Sequence, residues 1–254
     1  DLVVKSPGVP ADARPIAAAR AATLEIISEI ELAARYLDNP VIAITGTNSK
    51  TTTTELTAHL LRRSGIDAVA CGNQGTPLCG LADAVDPATW LVVECSSFQL
   101  EDVGAAFHPR AAVLLNLTPD HLDRHADMAD YLAAKLRVFE NMRPRDLAVA
   151  PAGTVIPGGA LMFTVDDGPR TRTSIAWSDG GLCHADLGLV ARWEQVALRG
   201  AHNRQNAMAA VAVAAHAGAT ADAIAAGLAD FPGVAHRLEV VLVADGVTYV
   251  NDSK

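Results

Sequence analysis

Lys50, Glu94 and Lys135 would do phosphate and metal chemistry together if the fold brings them to one place. In AITGTNSKTTTTEL, residues 43 to 56, an apolar strand ends at Thr45 and a helix opens at Lys50 and Thr51. Such a turn aims backbone amides, the positive end of a helix dipole and an ammonium at phosphates, and leaves the Thr51 hydroxyl for Mg²⁺. The full G-x-x-x-x-G-K-[ST] pattern fails at both glycine positions, held here by Ile44 and Ser49. If position 49 needs a left-handed backbone, serine costs roughly 1–2 kcal/mol more than glycine there. The competing reading is an ordinary strand-to-helix turn with a capping Asn or Ser.

WLVVE, residues 90 to 94, ends a buried strand on Glu94. That puts a carboxylate at the C-terminal edge of a sheet, where open α/β sheets bind ligands and where a Mg²⁺ on Thr51 needs a second oxygen. A glutamate that simply opens a loop is the plain alternative. In DMADYLAAKLRVFENM, stepping 100° per residue puts Met128, Tyr131, Leu132, Leu136, Phe139 and Met142 on one stripe, with Lys135 near its centre. Either its stem carries the ammonium out to water, or it is desolvated and its pKa falls, which frees a neutral amine for chemistry such as carbamylation to an anionic metal ligand. TPDHLDRH follows the strand AAVLLN, so His121 also falls at the C-terminal edge, as a metal ligand or as a structural imidazole. Asn203 and Asn206 open a helix in GAHNRQNAMAAV, where amides and the dipole favour polar or anionic ligands, unless Asn203 is only its N-cap.

The elements that must position these residues follow an α/β pattern. VIAIT, DAVAC, WLVVE, AAVLLN and DLAVA are short apolar strands, alternating with helices over about 50–64 and 127–142. Continuous apolar strands between helices predict a central, mostly parallel sheet covered on both faces, with a P-loop-like turn. Residues 153–200, with turn signals at DDG and SDGG, predict a smaller antiparallel sheet. Helices over 203–217 and 220–229 and a hairpin at Asp245-Gly246 follow. Ahead of the core, LVVK is a short strand and residues 22–37 form an amphipathic helix or an extended linker.

Composition removes several function classes. The chain has 254 residues, half of them hydrophobic (50%), enough for one large core. A net charge of −9 argues against nucleic acid or an anionic membrane surface, both of which need a basic patch. Cys71, Cys79, Cys95 and Cys183 have neither disulfide nor zinc-site spacing and read as reduced thiols of a cytoplasmic protein. No apolar run approaches a membrane span. The chain opens without Met and closes on a strand and a polar turn, so a piece of a longer polypeptide is expected.

Together these residues resemble the Mur ligase family of ATP-dependent peptide-bond-forming enzymes. GTNSKTT looks like the family's GTNGKT/S loop, HNRQN like its H-N-x-x-N element, and HRLEVV with NDSK like the entry to its last domain. More narrowly, GNQGTPL, ECSSFQLE, TPDHLDRH, YLAAKLRVFEN and NDSK look like the member that adds D-glutamate to UDP-N-acetylmuramoyl-L-alanine. The resemblance implies a trailing end of a UDP-binding domain over 1–38, a central ATP-binding domain over 39–236 and the start of a C-terminal domain over 237–254. It also implies ATP and one or two Mg²⁺ ions as cofactors, peptidoglycan precursor synthesis as the pathway, and a monomer.

Carried over residue by residue, Gly46, Thr47, Asn48, Ser49, Lys50, Thr51 and Thr52 would hold the phosphates, Lys50 on the β and γ groups. Thr51 and Glu94 would bind one Mg²⁺, and His121 with a carbamylated Lys135 the second. Asn73, with Ser96 or Gln99 and His121, would meet the muramoyl substrate. Asn203 and Asn206 would hold adenine, and Arg237, Asp252 and Lys254 would approach ribose and phosphates. With Ser49 in place of the usual glycine, the loop is expected to bind nucleotide more weakly. A related muramoyl-peptide or folylpolyglutamate-type ligase, or a nucleotide-binding homologue without turnover, are the alternatives.

Overall fold

The computed structural model describes residues 1–156, 161–166, 174–178, 180–198 and 200–253. The chain begins with β1 (Leu2–Lys5), α1 (Arg14–Ala21), β2 (Glu25–Ser28) and α2 (Glu29–Ala34). The core then runs β3 (Val41–Thr45), α3 (Lys50–Arg63), β4 (Ala68–Gly72), β5 (Trp90–Glu94), α4 (Ser97–Leu100), β6 (Ala111–Leu114), α5 (Met128–Leu136) and β7 (Leu147–Pro151). It continues with β8 (Leu161–Asp166), β9 (Ser174–Ser178), β10 (Gly181–His184), β11 (Gly188–Arg192), α6 (His202–His216) and α7 (Ala221–Asp230), and ends in the hairpin β12 (Glu239–Ala244) and β13 (Val247–Asn251).

Among the described residues the main sheet has nine strands in the order β11-β10-β9-β8-β7-β6-β3-β5-β4. It is parallel from β4 through β9, and β10 and β11 are antiparallel at the far edge. Both faces are covered, so successive residues of one strand feed two different cores. Ile42, Ile44, Val92, Val113 and Val149 pack with α3, α6 and α7, while Val41, Ala43, Leu91, Val93 and Ala148 pack with α2, Phe107 and Phe139. This explains the unbroken apolar strands. The order of connection reverses at β3: β4 and β5 lie on one side of it and β6 on the other. A crevice at the carboxyl ends of the strands is expected at that switch point.

Several predicted elements shift. Residues 22–37 are neither one helix nor a linker: Ile26 and Ile27 lie in β2, parallel to β1, and Ser28 then caps α2 by accepting from the Glu31 amide at 3.4 Å. The helix predicted over 127–142 is shorter, because after Leu136 the chain tightens into a 3₁₀ turn at Arg137–Phe139. The antiparallel strands of 153–200 extend the main sheet rather than forming a second one. β8 and β9 pair in parallel, so no hairpin joins them at DDG, and residues 167–173 lie outside the described residues. The hairpin at SDGG is present, with Gly181 opposite Ser178, and so is the one at Asp245-Gly246, whose φ angles of 51° and 76° suit a tight turn.

A buried carboxylate ties the first elements to the core. Glu31 is 1% exposed and accepts from the amides of Gly104 (2.9 Å), Phe107 (3.0 Å) and Ala106 (3.3 Å) and from Arg35 Nε (3.3 Å). Lys5, also buried, bonds Asp102 in the same loop at 2.6 Å. Because Glu31→Ala leaves several buried donors unpaired, it should cost about 3–5 kcal/mol of stability. The urea midpoint measures this; a loss under about 1 kcal/mol would mean that water reaches those amides.

Candidate active site

The loop after β3 bends through two unusual backbone positions. Gly46 has φ 155°, and a Cβ there would meet Leu115 Cβ at 3.1 Å, so the loop lies against the chain leaving β6. Ser49 is left-handed at φ 67° and ψ 5°, and its side chain caps nothing in α3. Between them the loop is braced from the β6 side: Thr47 N donates to Asn116 O (3.1 Å), Asn48 N to Asn116 Oδ1 (2.9 Å), and Thr118 N to Thr47 Oγ1 (3.1 Å). The loop that leads into α3 therefore lies at the switch point between β3 and β6.

Three charged groups converge on this loop. Glu94, 2% exposed at the end of β5, accepts from Thr51 Oγ1 at 2.8 Å and from Asn73 Nδ2 at 2.9 Å. Lys50 folds back to donate to the carbonyls of Gly46 (3.0 Å) and Thr47 (2.9 Å). Burial lowers its pKa, with Glu94 opposing. Lys135 reaches the same Gly46 carbonyl at 2.9 Å, with Nζ 4.5 Å from the Tyr131 ring centroid. At 1% exposure it does not carry its charge to water; burial, helped by the Lys50 charge, pushes its pKa down to about 7. Of the two accounts open for this lysine, the geometry is that of the desolvated one.

His121 sits on the loop after β6 at φ 53°, half-exposed, its Nε2 3.6 Å from Asp120 Oδ2. Its ring packs against Phe98 (5.1 Å) and Tyr131 (6.2 Å), so His121 and Lys135 share Tyr131 as a neighbour. Among the described residues no three His, Cys, Asp or Glu side chains cluster as a metal site. The donor set for a cation is instead one hydroxyl and one buried carboxylate, Thr51 and Glu94, hard oxygens that fit Mg²⁺. A cavity of about 150 Å³ opens on this pair, lined by Thr47, Ser49, Lys50, Asn73, Glu94 and Arg237, and a larger one of about 540 Å³ adjoins it at Ser49 and Arg237.

Residues 44–157 match the Mur ligase middle domain. Over its whole length the chain is 41% identical to UDP-N-acetylmuramoylalanine--D-glutamate ligase of Pelotomaculum thermopropionicum and 45% identical to the protein of the same name from Anaeromyxobacter dehalogenans. Its residues 44–157 thus belong to the Mur ligase family. The chain spans 58% of the length of each of these two relatives. The Mur ligase MurF of Acinetobacter baumannii has the same fold, with a TM-score of 0.67 at 20% identity over 99% of this chain and 64% of that one.

The other positions that the Mur ligase resemblance singles out are distributed around these cavities. Asn203 lines the 540 Å³ cavity with Thr52, His202, Arg237 and Asp252. It is not the N-cap of α6, a place held by Ala201, and Asn206 Nδ2 donates to its Oδ1 at 2.7 Å. Asn206 is thus a buried buttress behind Asn203 rather than part of the wall. Asp252 also accepts from Leu238 N at 3.2 Å, and Lys254 lies outside the described residues. Asn73 and Gln99 line a third cavity of about 360 Å³, beside Val4, Lys5 and Glu29. Ser96 and the Gln99 side-chain oxygen pair in a capping box at the start of α4, while Asn73 Nδ2 is held by Glu94.

Sequence reasoning missed Asn116 and Thr118, which shape the phosphate loop, and Tyr131, counted only as an apolar stripe residue although its hydroxyl donates to Thr47 Oγ1 at 3.3 Å. Asn116 carried a signal: like Glu94, it is a polar residue at the exit of an apolar strand. Because position 49 is left-handed, Ser49→Gly should raise stability by about 0.5–1 kcal/mol, the relief of steric strain less the extra entropy of unfolded glycine. An unchanged or lower urea midpoint would contradict that.

Proposed function

We propose that this chain is the nucleotide-binding core of an ATP-dependent ligase that adds D-glutamate to UDP-N-acetylmuramoyl-L-alanine in cytoplasmic peptidoglycan precursor synthesis. The observation that carries the reading is the convergence of Lys50, the Thr51–Glu94 pair and the desolvated Lys135 on one loop at the sheet's switch point. Identities of 41% and 45% over the whole chain to two D-glutamate ligases support the choice of amino acid. The division into 1–38, 39–236 and 237–254 belongs to the same reading, supported by the separate small sheets β1-β2 and β12-β13.

In this reading a carboxylate oxygen of the L-alanyl group attacks the γ-phosphorus of ATP, the bond to the bridging oxygen breaks and ADP leaves. The amine of D-glutamate then attacks the acyl phosphate carbon, and the tetrahedral adduct expels phosphate as the nitrogen gives up a proton. The protein mainly positions reactants and neutralises charge. Lys50 exchanges its two carbonyl partners for β- and γ-phosphate oxygens, and the amides opening α3 face the same groups. Asn203 borders the adenine cavity, and Arg237 spans the two nucleotide cavities. Bound Mg²⁺ would offset phosphate charge, held by Thr51 and Glu94. A second cation would take His121 and Lys135, after neutral Nζ has added to CO₂ and lost a proton, which explains a lysine in an apolar environment.

The test is phosphate release by the full-length protein with ATP, Mg²⁺ and UDP-N-acetylmuramoyl-L-alanine, comparing D-glutamate, L-glutamate, L-lysine and no amino acid. Release that depends on D-glutamate is expected. Equal release with L-lysine would assign the chain to another ligase of the family, and nucleotide binding without release would make it a non-catalytic homologue.

A further inference from the structure

His125 has no role in the reading above, yet it is the most constrained imidazole near the site. It is 3% exposed, with Nε2 3.0 Å from Ser97 Oγ and Nδ1 3.3 Å from Asp130 Oδ2; Glu101 Oε1 stands 3.8 Å from the same nitrogen. Its ring stacks on Phe98 at 5.6 Å and 7° and leans on Tyr131 at 5.0 Å. Phe98 and Tyr131 are the same two rings that flank His121, at 5.1 and 6.2 Å. Arg124 covers Phe98, its Cζ 4.4 Å from the centroid. His121 itself is half-exposed and left-handed, and among the described residues the one carboxylate near its ring is Asp120, Oδ2 at 3.6 Å from Nε2. What holds its ring is therefore the aromatic shelf, and His125 is the member of that shelf fixed by hydrogen bonds at both nitrogens.

The order Ser97, His125, Asp130 is also that of a hydrolytic triad, but Ser97 and His125 are both buried and line none of the three cavities. An acyl group could not reach the serine. The arrangement instead joins α4, which follows Glu94, to the loop that carries His121 and to α5, which carries Lys135.

We propose that His125 is a positioning residue: pinned between Ser97 and Asp130, it holds Phe98 and Tyr131 as a shelf that orients the His121 imidazole toward a divalent cation. This rests on the reading of His121 as a metal ligand. Partners of a ligand's orientation of this kind typically change metal affinity by roughly 10–100-fold when removed.

The test uses the full-length protein with ADP and titrates Mn²⁺ by electron paramagnetic resonance, alongside metal-free ADP affinity and the urea midpoint. His121→Ala should weaken Mn²⁺ binding at least tenfold. His125→Ala should weaken it about three- to tenfold with ADP affinity unchanged, and the double variant should be no weaker than His121→Ala alone, as expected when one residue acts through the other. Ser97→Ala, which removes one hydroxyl, should shift binding the same way by a smaller factor, and carries the test if His125→Ala does not fold. Unchanged Mn²⁺ binding in His125→Ala and Ser97→Ala, or losses that add in the double variant, would overturn the positioning role while leaving His121 as a ligand. Unchanged binding in His121→Ala would overturn the ligand reading and the proposal with it.

Discussion

Glu94→Gln should lower kcat for phosphate release by about 10²–10³-fold and raise the Mg²⁺ concentration needed for half-maximal rate, with stability nearly unchanged. Glutamine has the same shape, its carbonyl can still accept from Asn73 Nδ2, and the Thr51 hydroxyl can turn to accept from the new amide. The packing and the hydrogen-bond count survive, so the variant removes the negative charge almost alone. A buried carboxylate that only braced the loop would leave both the rate and its Mg²⁺ dependence intact in this variant, because glutamine keeps the brace. Steady-state rates across a Mg²⁺ titration, with urea melts of the same preparations, separate the two.

Lys135→Met should abolish turnover by about 10³-fold or more, about 4 kcal/mol of barrier, while leaving the fold at least as stable near neutral pH. Methionine fills the volume of the buried stem without the desolvated charge. The pH dependence has a definite sign. The amine of the folded protein has its pKa pushed down to about 7, against an ordinary value of 10.5. Between these values the unfolded chain holds the proton that the native state has shed, so wild-type stability rises with pH across that window. The Met variant lacks this contribution, so the stability difference between the two proteins should shift in favour of wild type from pH 7 to 10. Lys50, whose pKa is also lowered by burial, is present in both and largely cancels. Urea midpoints at four pH values measure it; a difference that does not move with pH would mean that Lys135 stays protonated in the native state. With ¹³C-labelled bicarbonate, the wild type alone should give a carbamate carbonyl resonance, fading as the pH falls below 7.

The parts of the fold legible in the sequence were those where one physical signal dominated. VIAIT, WLVVE and AAVL are buried on both faces, and no helix-period pattern competes with them. Lys135 stood out because a charge interrupts an otherwise apolar stripe, and Glu94 because a strand this apolar ends on a carboxylate. The segment 22–37 was misread because Glu25–Ser28 is a short strand whose partner, β1, lies outside the helix-period window, and because the Ser28 cap falls inside what looked like one helix. The parallel run β7-β8-β9 was hidden by turn signals that suggested hairpins. The cost of Ser49 could be stated only conditionally, since nothing local fixes φ at that position; the brace of Asn48 by Asn116 and of Thr47 by Thr118, partners 68 and 71 residues apart, is part of the tertiary setting that does.

The path of the L-alanyl carboxylate oxygen distinguishes acyl-phosphate chemistry from every other route to phosphate release. In the full-length protein, UDP-N-acetylmuramoyl-L-alanine labelled with ¹⁸O in that carboxylate should transfer one labelled oxygen to inorganic phosphate per turnover, and only when D-glutamate is present. Phosphate released without the label would contradict acyl-phosphate chemistry at this loop, and labelled phosphate formed equally well with another amino acid would contradict the assignment to D-glutamate.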